Sequence, residues 1–175
     1  MELLDSQLVV KKSTLPGAGK GLFTKIFIPK GAFIVEYKGK VSSWKEAEPK
    51  EGFNGYIYYI TRNTVIDAMG DPEAIARYAN DAKGISKVKG ISNNAAYHEE
   101  GKRVFIVAKK DIPKGSEIFV DYGKEYWDVV KFNIKLQKEE EKEAAAKKAA
   151  TEKKSSAKKK TSKKASGTAK KAKKK

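Results

Sequence analysis

From residue 7 to residue 126 the chain is cut by turn signals at short intervals: Leu15-Pro16-Gly17, Pro29-Lys30-Gly31, Lys38-Gly39, Gly70-Asp71-Pro72, Gly101 and Pro113-Lys114-Gly115. Proline presets the φ of a turn and glycine takes the positive φ that other residues avoid, so each cluster ends one element and begins another. The runs between them, residues 32–37, 55–61, 103–108 and 117–122, are rich in β-branched and aromatic residues. Long helices have no room here, and a mainly β fold of several small strands follows. Asp71-Pro72-Glu73 offers an N-cap, a proline at the first helical position and an acid in the first turn, which predicts a short helix over 71–78. Residues 43–48 are a second helical candidate.

The sequence also echoes itself. Ile28-Pro29-Lys30-Gly31 precedes Phe33-Ile34-Val35-Glu36-Tyr37, and Ile112-Pro113-Lys114-Gly115 precedes Ile118-Phe119-Val120-Asp121-Tyr122. Each turn launches a run that ends in an acid and a tyrosine. Two similar β-turns feeding similar strands account for this, and neither copy is long enough to be a repeat domain.

Charge separates the chain into regions. Of 38 basic and 22 acidic residues, 17 lysines and 5 glutamates lie from 132 onward, so this segment carries +12 of the net +16. Residues 128–149 are rich in Glu, Lys, Ala, Leu and Gln and predict a C-terminal helical extension. Residues 150–175 hold almost only Ala, Lys, Ser, Thr and Gly, too little apolar surface to order a chain, and predict a disordered lysine-rich tail.

The chain has no cysteine and one histidine, His98. Disulfides and thiolate zinc sites are thereby excluded, and no metal centre is expected. No run approaches the roughly 20 apolar residues that span a bilayer, so a soluble, intracellular protein without a membrane partner is expected.

Three stretches carry the chemistry: Gly17-Ala18-Gly19-Lys20-Gly21-Leu22-Phe23, Arg77-Tyr78-Ala79-Asn80-Asp81, and Glu117-Ile118-Phe119-Val120-Asp121-Tyr122-Gly123. The first lets backbone approach a ligand, although a plain hairpin turn reads the same way. It lacks the spacing and terminal Lys-Ser/Thr of a P-loop. In this order, with Val35-Glu36-Tyr37-Lys38-Gly39, Val65-Ile66-Asp67-Ala68, Asn94-Ala95 and Trp127 between or after them, they resemble the SET family of lysine methyltransferases. The match is to its minimal members, which lack cysteine-rich flanking zinc segments, as in bacteria and viruses. The resemblance covers residues 7–127 and implies a catalytic domain of several small curved sheets with short helices.

It also implies a cofactor and a site. S-adenosylmethionine would be bound by Gly17, Ala18, Gly19, Lys20, Gly21, Arg77, Asn80, Asp81, Tyr122 and Trp127. Tyr122 and Tyr37 would be catalytic, Tyr122 beside the transferred methyl and Tyr37 lining the lysine channel with Val120. Such a channel suits the reaction, because an acceptor amine with a reference pKa of about 10.4 must lose its proton before it attacks. Apolar walls favour the neutral amine, and aromatic faces hold the approaching cation.

Three departures from the family pattern stand out. Asp81 occupies the place of the histidine that usually follows the motif asparagine. Fourteen positions separate Asn80 from Asn94, more than the family uses, so residues 83–90 read as an inserted basic loop. With no cysteine-rich flank, the far wall of the channel falls to residues 124–136 or to a partner subunit, the protein being a monomer or a homodimer. The expected substrate is a lysine-containing protein, a histone or histone-like protein first. The tail resembles those of DNA-packaging proteins and implies nonspecific contact with DNA or RNA, placing the protein on chromatin or a nucleoid. A nonenzymatic chromatin or nucleic-acid binder using that tail is the alternative, and an inactive SET-like fold is a third.

Overall fold

The computed structural model describes residues 2–48 and 53–165, with side chains described as far as residue 144. The chain forms two compact units, residues 1–122 and 123–175.

The first unit is built from short antiparallel strands in three sheets. Strands β1 (Leu8–Lys12) and β2 (Lys20–Thr24) form a hairpin. Strands β3 (Phe33–Glu36), β7 (Ala95–Glu100) and β8 (Arg103–Ala108) form a sheet in the order β3-β8-β7. Strands β4 (Lys40–Ser42), β5 (Ile57–Thr61) and β6 (Thr64–Asp67) form another, with β6 at its centre. The central strands are the most apolar, as a strand covered on both faces must be: β8 buries Val104, Phe105, Ile106 and Ala108. Val104, Ile106 and Ala108 share one core cluster with Leu22, Ile34, Ile66, Ile118 and Val120.

The two echoed turns face one another. Ile28 N–H donates to the Ile112 carbonyl at 2.9 Å and Ile112 N–H returns the bond at 2.8 Å. Each turn is closed by a carbonyl-to-N–H bond from the proline to the residue three on, Pro29 to Ala32 and Pro113 to Ser116, with Gly31 and Gly115 at φ +86° and +82°. These are type II turns, whose third residue must take positive φ.

Two expectations are corrected. Residues 71–78 do not form a helix that starts at Pro72. The Asp71 carboxylate accepts Glu73 N–H at 2.9 Å, which makes a local turn, and only a 3-10 turn follows at Ile75–Tyr78. A side-chain turn competes with helix start at such a residue, and the Arg77 tether to the Ala68 carbonyl at 2.6 Å leaves no room to extend. Residues 117–122 are not a ladder strand either. They thread between two segments through single bridges, Phe23 with Glu117 and Asn80 with Phe119. The other helical candidate forms as α1 (Trp44–Ala47), started by a capping box between Ser43 and Glu46.

The second unit is a helix, α2 (Lys124–Ala165), which begins after Gly123 at φ +83°. It starts earlier and runs further than residues 128–149, because alanine and lysine keep helix propensity high through its later turns. Residues 150–165, expected as the start of a disordered tail, lie on this helix, and the rest of that expected tail, from residue 166, lies outside the described residues. Among the described residues no helix is long and apolar enough to cross a membrane.

Candidate active site

The glycine-rich stretch is the connection between β1 and β2. Gly17 and Gly19 sit at φ +76° and +72°, and Ser13 N–H closes the loop onto the Gly19 carbonyl at 2.9 Å. Gly17, Gly19 and Lys20 are exposed and Ala18 is half-buried, so this backbone is open to a ligand. Gly21 is buried for a different reason. A methyl group there would collide with Glu117 Oε1 and crowd the Phe23 ring at 3.2 Å.

Glu117 is 4% exposed and lies beneath the turn. Its Oε1 accepts the Ser13 hydroxyl at 2.7 Å and the Asn80 amide at 3.1 Å, and its Oε2 accepts Thr14 N–H at 2.7 Å and the Thr14 hydroxyl at 2.6 Å. A carboxylate taken out of water needs such a full set of donors. The sequence motif contains Glu117 without assigning it a role. The signal was its place on a run otherwise buried, where an acid must have partners.

Asn80 joins the turn to the threaded segment. Its Nδ2 donates to the Lys20 carbonyl at 2.9 Å as well as to Glu117, and its own carbonyl accepts Val120 N–H at 2.9 Å. Among the described residues no donor meets its Oδ1, which leaves one acceptor beside the open turn. Arg77 holds the preceding residues in place. Its guanidinium bonds the Ala68 carbonyl and the Tyr78 hydroxyl and lies over the Tyr56 and Tyr78 rings, 5.5 and 5.0 Å from their centroids. The Arg77 Nε is buried without a hydrogen-bond partner.

Asp81, 5% exposed, turns its carboxylate to protein donors. Oδ1 accepts Lys83 N–H at 2.8 Å and the Asn93 amide at 2.9 Å, and Oδ2 accepts Tyr122 N–H at 3.0 Å. Tyr122 is half-buried and donates its hydroxyl to the Ala79 carbonyl at 2.9 Å. Asn94 pins the same segment from the other side, donating to the Glu117 carbonyl at 2.7 Å and accepting Phe119 N–H at 2.8 Å.

Tyr37 follows β3 and is 5% exposed, its hydroxyl bonded to the Tyr56 carbonyl at 3.0 Å. Tyr58 and Tyr97 pack on it, with centroids 5.8 and 5.9 Å away and 4.8 Å from each other. The Tyr58 hydroxyl donates to Glu99 at 3.0 Å, and burial together with that carboxylate pushes its pKa up, so the phenol stays protonated. Val120 is fully buried in the core cluster that also contains Tyr37 and against which Tyr58, Tyr97 and Tyr122 pack. Tyr37, Val120 and Tyr122 thus meet one apolar body. Trp127 belongs to the helical unit, where its ring meets that of Tyr126 edge-on at 5.2 Å. Among the described residues no group of three or more acids and histidines is placed to hold a metal ion.

The glycine turn and Asn80 are therefore joined through the buried Glu117 carboxylate, and Tyr122 is joined to the same stretch through Ala79 and the buried Asp81 carboxylate. Comparison with known proteins gives this assembly a context. Residues 19–123 match the SET domain family. The chain is similar to the histone-lysine N-methyltransferase set-1 of Caenorhabditis elegans, at 27% identity over 66% of this chain and 50% of that one. It is also similar to the N-lysine methyltransferase KMT5A-A of Danio rerio, at 26% identity over 62% of this chain and 33% of the relative. Among solved structures it resembles a humanized mutant of the Chaetomium thermophilum Polycomb Repressive Complex 2, with TM-score 0.52 and 29% identity over 66% of this chain and 15% of that chain. The chain thus spans half or less of the length of these relatives.

Proposed function

Because the chain belongs to the SET domain family, we propose that it is an S-adenosylmethionine-dependent protein-lysine N-methyltransferase. The observation that carries this reading is the pair of hydrogen bonds that the Asn80 amide donates, to the Lys20 carbonyl and to Glu117. It ties the open glycine turn to the segment that anchors the Tyr122 hydroxyl, so a cofactor on one and an amine at the other would share a rigid frame.

The residues fit the cofactor. Residues 17–21 offer exposed backbone held by positive-φ glycines, Lys20 offers a cation for a carboxylate, and Asn80 Oδ1 offers an acceptor for an ammonium group. Arg77 keeps the stretch leading to Asn80 in place, and Tyr122 borders the methyl group. The cofactor, when bound, supplies a methyl group activated on a sulfonium centre. Every other part falls to the protein.

Tyr37, Tyr58 and Tyr97 with Val120 form the apolar and aromatic body against which a lysine side chain packs, and desolvation there favours its neutral amine. The Tyr122 hydroxyl and the Ala79 carbonyl orient that amine so that its lone pair faces the methyl carbon. Alignment of this kind would supply much of the rate. The acceptor is a lysine in a histone or histone-like protein, in keeping with the names of the relatives. The lysine-rich arm from residue 150 holds the enzyme near such proteins on DNA, in a nucleus or on a bacterial nucleoid. Labelled methyl transfer from S-adenosylmethionine to purified histones and histone-like proteins tests the reading, with label on lysine expected and its absence from every acceptor counting against it.

A further inference from the structure

The inserted segment is fixed to the site at three places. Val88 and Ile91 pack with Leu15, Ala82 and Phe119 in a second small core that also takes Ala18 from the glycine turn. Lys83 Nζ lies 2.7 Å from Asp121 Oδ2, on the residue just before Tyr122. Asp81 then accepts three N–H donors: Lys83 at the start of the insertion, Asn93 three residues beyond its end, and the backbone of Tyr122. Asn93 answers by accepting Ala82 N–H at 2.8 Å, which closes the base of the loop.

We propose that Asp81 is a positioning residue that clasps the 83–90 insertion, through Lys83 and through Asn93 just beyond it, to the backbone of Tyr122, making the insertion part of the methyl-transfer machinery. The chemistry of the side chain argues for this. An ionised carboxylate offers only acceptors, about four lone-pair sites on two oxygens, and three N–H groups converge on it. A neutral histidine has one acceptor nitrogen and could not serve both the insertion and Tyr122. Insertion and aspartate therefore belong together: the longer loop brings two extra donors, and the acid supplies their acceptors. Asp81 touches neither the amine nor the methyl group and acts through Tyr122.

The inference rests on the methyltransferase reading, so its test includes one measurement that needs no activity. Amide hydrogen exchange at Tyr122 and steady-state methyl transfer are compared in the full chain for wild type, Asp81→Asn and Asn93→Ala. Asparagine keeps the Lys83 and Asn93 bonds only by turning its N–H group against the Tyr122 N–H, and in the opposite orientation it turns that group against both of them. Asn93→Ala keeps the carboxylate and loosens only the insertion, which covers the case in which Asp81→Asn does not fold. The Tyr122 amide is expected to exchange about tenfold faster or more in Asp81→Asn, with a smaller rise in Asn93→Ala and no change at Tyr97 in the β7 ladder. The turnover number falls in the same order while KM for the protein acceptor stays within about twofold. Unchanged exchange at Tyr122 in both variants overturns the clasp, and faster exchange with undiminished turnover overturns its positioning role. Faster exchange in a wild-type background that transfers no methyl upholds the clasp and removes the methyltransferase reading.

Discussion

Asp81 Oδ2 accepts the backbone N–H of Tyr122 at 3.0 Å, across 41 positions of sequence. Two residues before Asp81, the Ala79 carbonyl accepts the same tyrosine's hydroxyl at 2.9 Å. One three-residue stretch thus grips Tyr122 at its root and at its tip, which fixes the hydroxyl without a rotamer search. Preorganisation of this kind is what an alignment-driven reaction requires.

The buried Glu117 is the other fixed point. Glu117→Ala leaves the Ser13, Thr14 and Asn80 donors without their acceptor and is expected to cost roughly 2–4 kcal/mol in urea unfolding. Gly21→Ala drives a methyl group into the same carboxylate and is expected to cost roughly 1–3 kcal/mol. Both also weaken cofactor binding, read by calorimetry, because the turn they support is the one proposed to hold it. A stability loss below about 0.5 kcal/mol in both variants contradicts the role given to this acid.

Val120 lies two residues before Tyr122 and is smaller than the Phe or Tyr that the family resemblance places there. In the proposed channel a smaller wall would leave room for a methylated amine to turn and react again. Mass spectrometry of the product is expected to show di- or trimethyl-lysine, and Val120→Phe to shift it toward monomethyl-lysine at an overpacking cost of roughly 1–3 kcal/mol. A wild-type product confined to monomethyl-lysine contradicts this.

The Arg103 guanidinium is forked onto Glu36, the residue before Tyr37, with N–O distances of 2.8 and 2.7 Å. The hydrogen bond from Arg103 holds the Glu36 pKa below its ordinary value of 4.5. A depressed carboxylate contributes stability that is present above its ordinary pKa and is lost as pH falls through the folded-state value. The difference in melting temperature between wild type and Arg103→Leu is therefore expected to be constant near neutrality and to shrink below pH 4.5. It does not vanish, because Arg103 also lies over the Phe105 ring at 4.8 Å. The pair is solvent-facing and contributes no more than about 1 kcal/mol. A gap that stays constant into acid contradicts the assignment.

Deletion of residues 150–175 tests the arm. Full-length protein is expected to bind duplex DNA with an affinity that falls steeply as salt rises, and the truncated chain to lose that binding. Salt-sensitive binding undiminished by the deletion rejects the tether.

Much of this fold is legible in the sequence because turn chemistry is local. The Pro-Lys-Gly turns, β8 at Arg103–Ala108 and the capping box at Ser43 all follow from neighbouring residues. What was not legible depends on partners far away in sequence. Residues 117–122 look like a strand because they are apolar and β-branched, yet they thread between Leu22 and Asn80, whose carbonyls take the Ile118 and Val120 N–H groups. Pro72 marks a helix start, but the Asp71 side chain and the Arg77 tether end it before it can propagate. In the site, the motifs locate the glycine turn, Asn80 and Tyr122 by residue type alone. Neither the donors on the buried carboxylate of Glu117 nor the Tyr122 donor on Asp81 can be inferred without the pairing of segments 37 to 104 positions apart.

The most direct test compares wild type with Tyr122→Phe for transfer of labelled methyl from S-adenosylmethionine to histones, histone-like proteins and the chain itself. Loss of the hydroxyl removes its bond to Ala79 and is expected to cost only about 1 kcal/mol of stability, so the variant remains folded. Label on lysine in wild type, reduced about 100-fold or more in the variant, is the result expected of a SET methyltransferase that works through this tyrosine. Absence of label on every acceptor, with no cofactor binding by calorimetry, contradicts it.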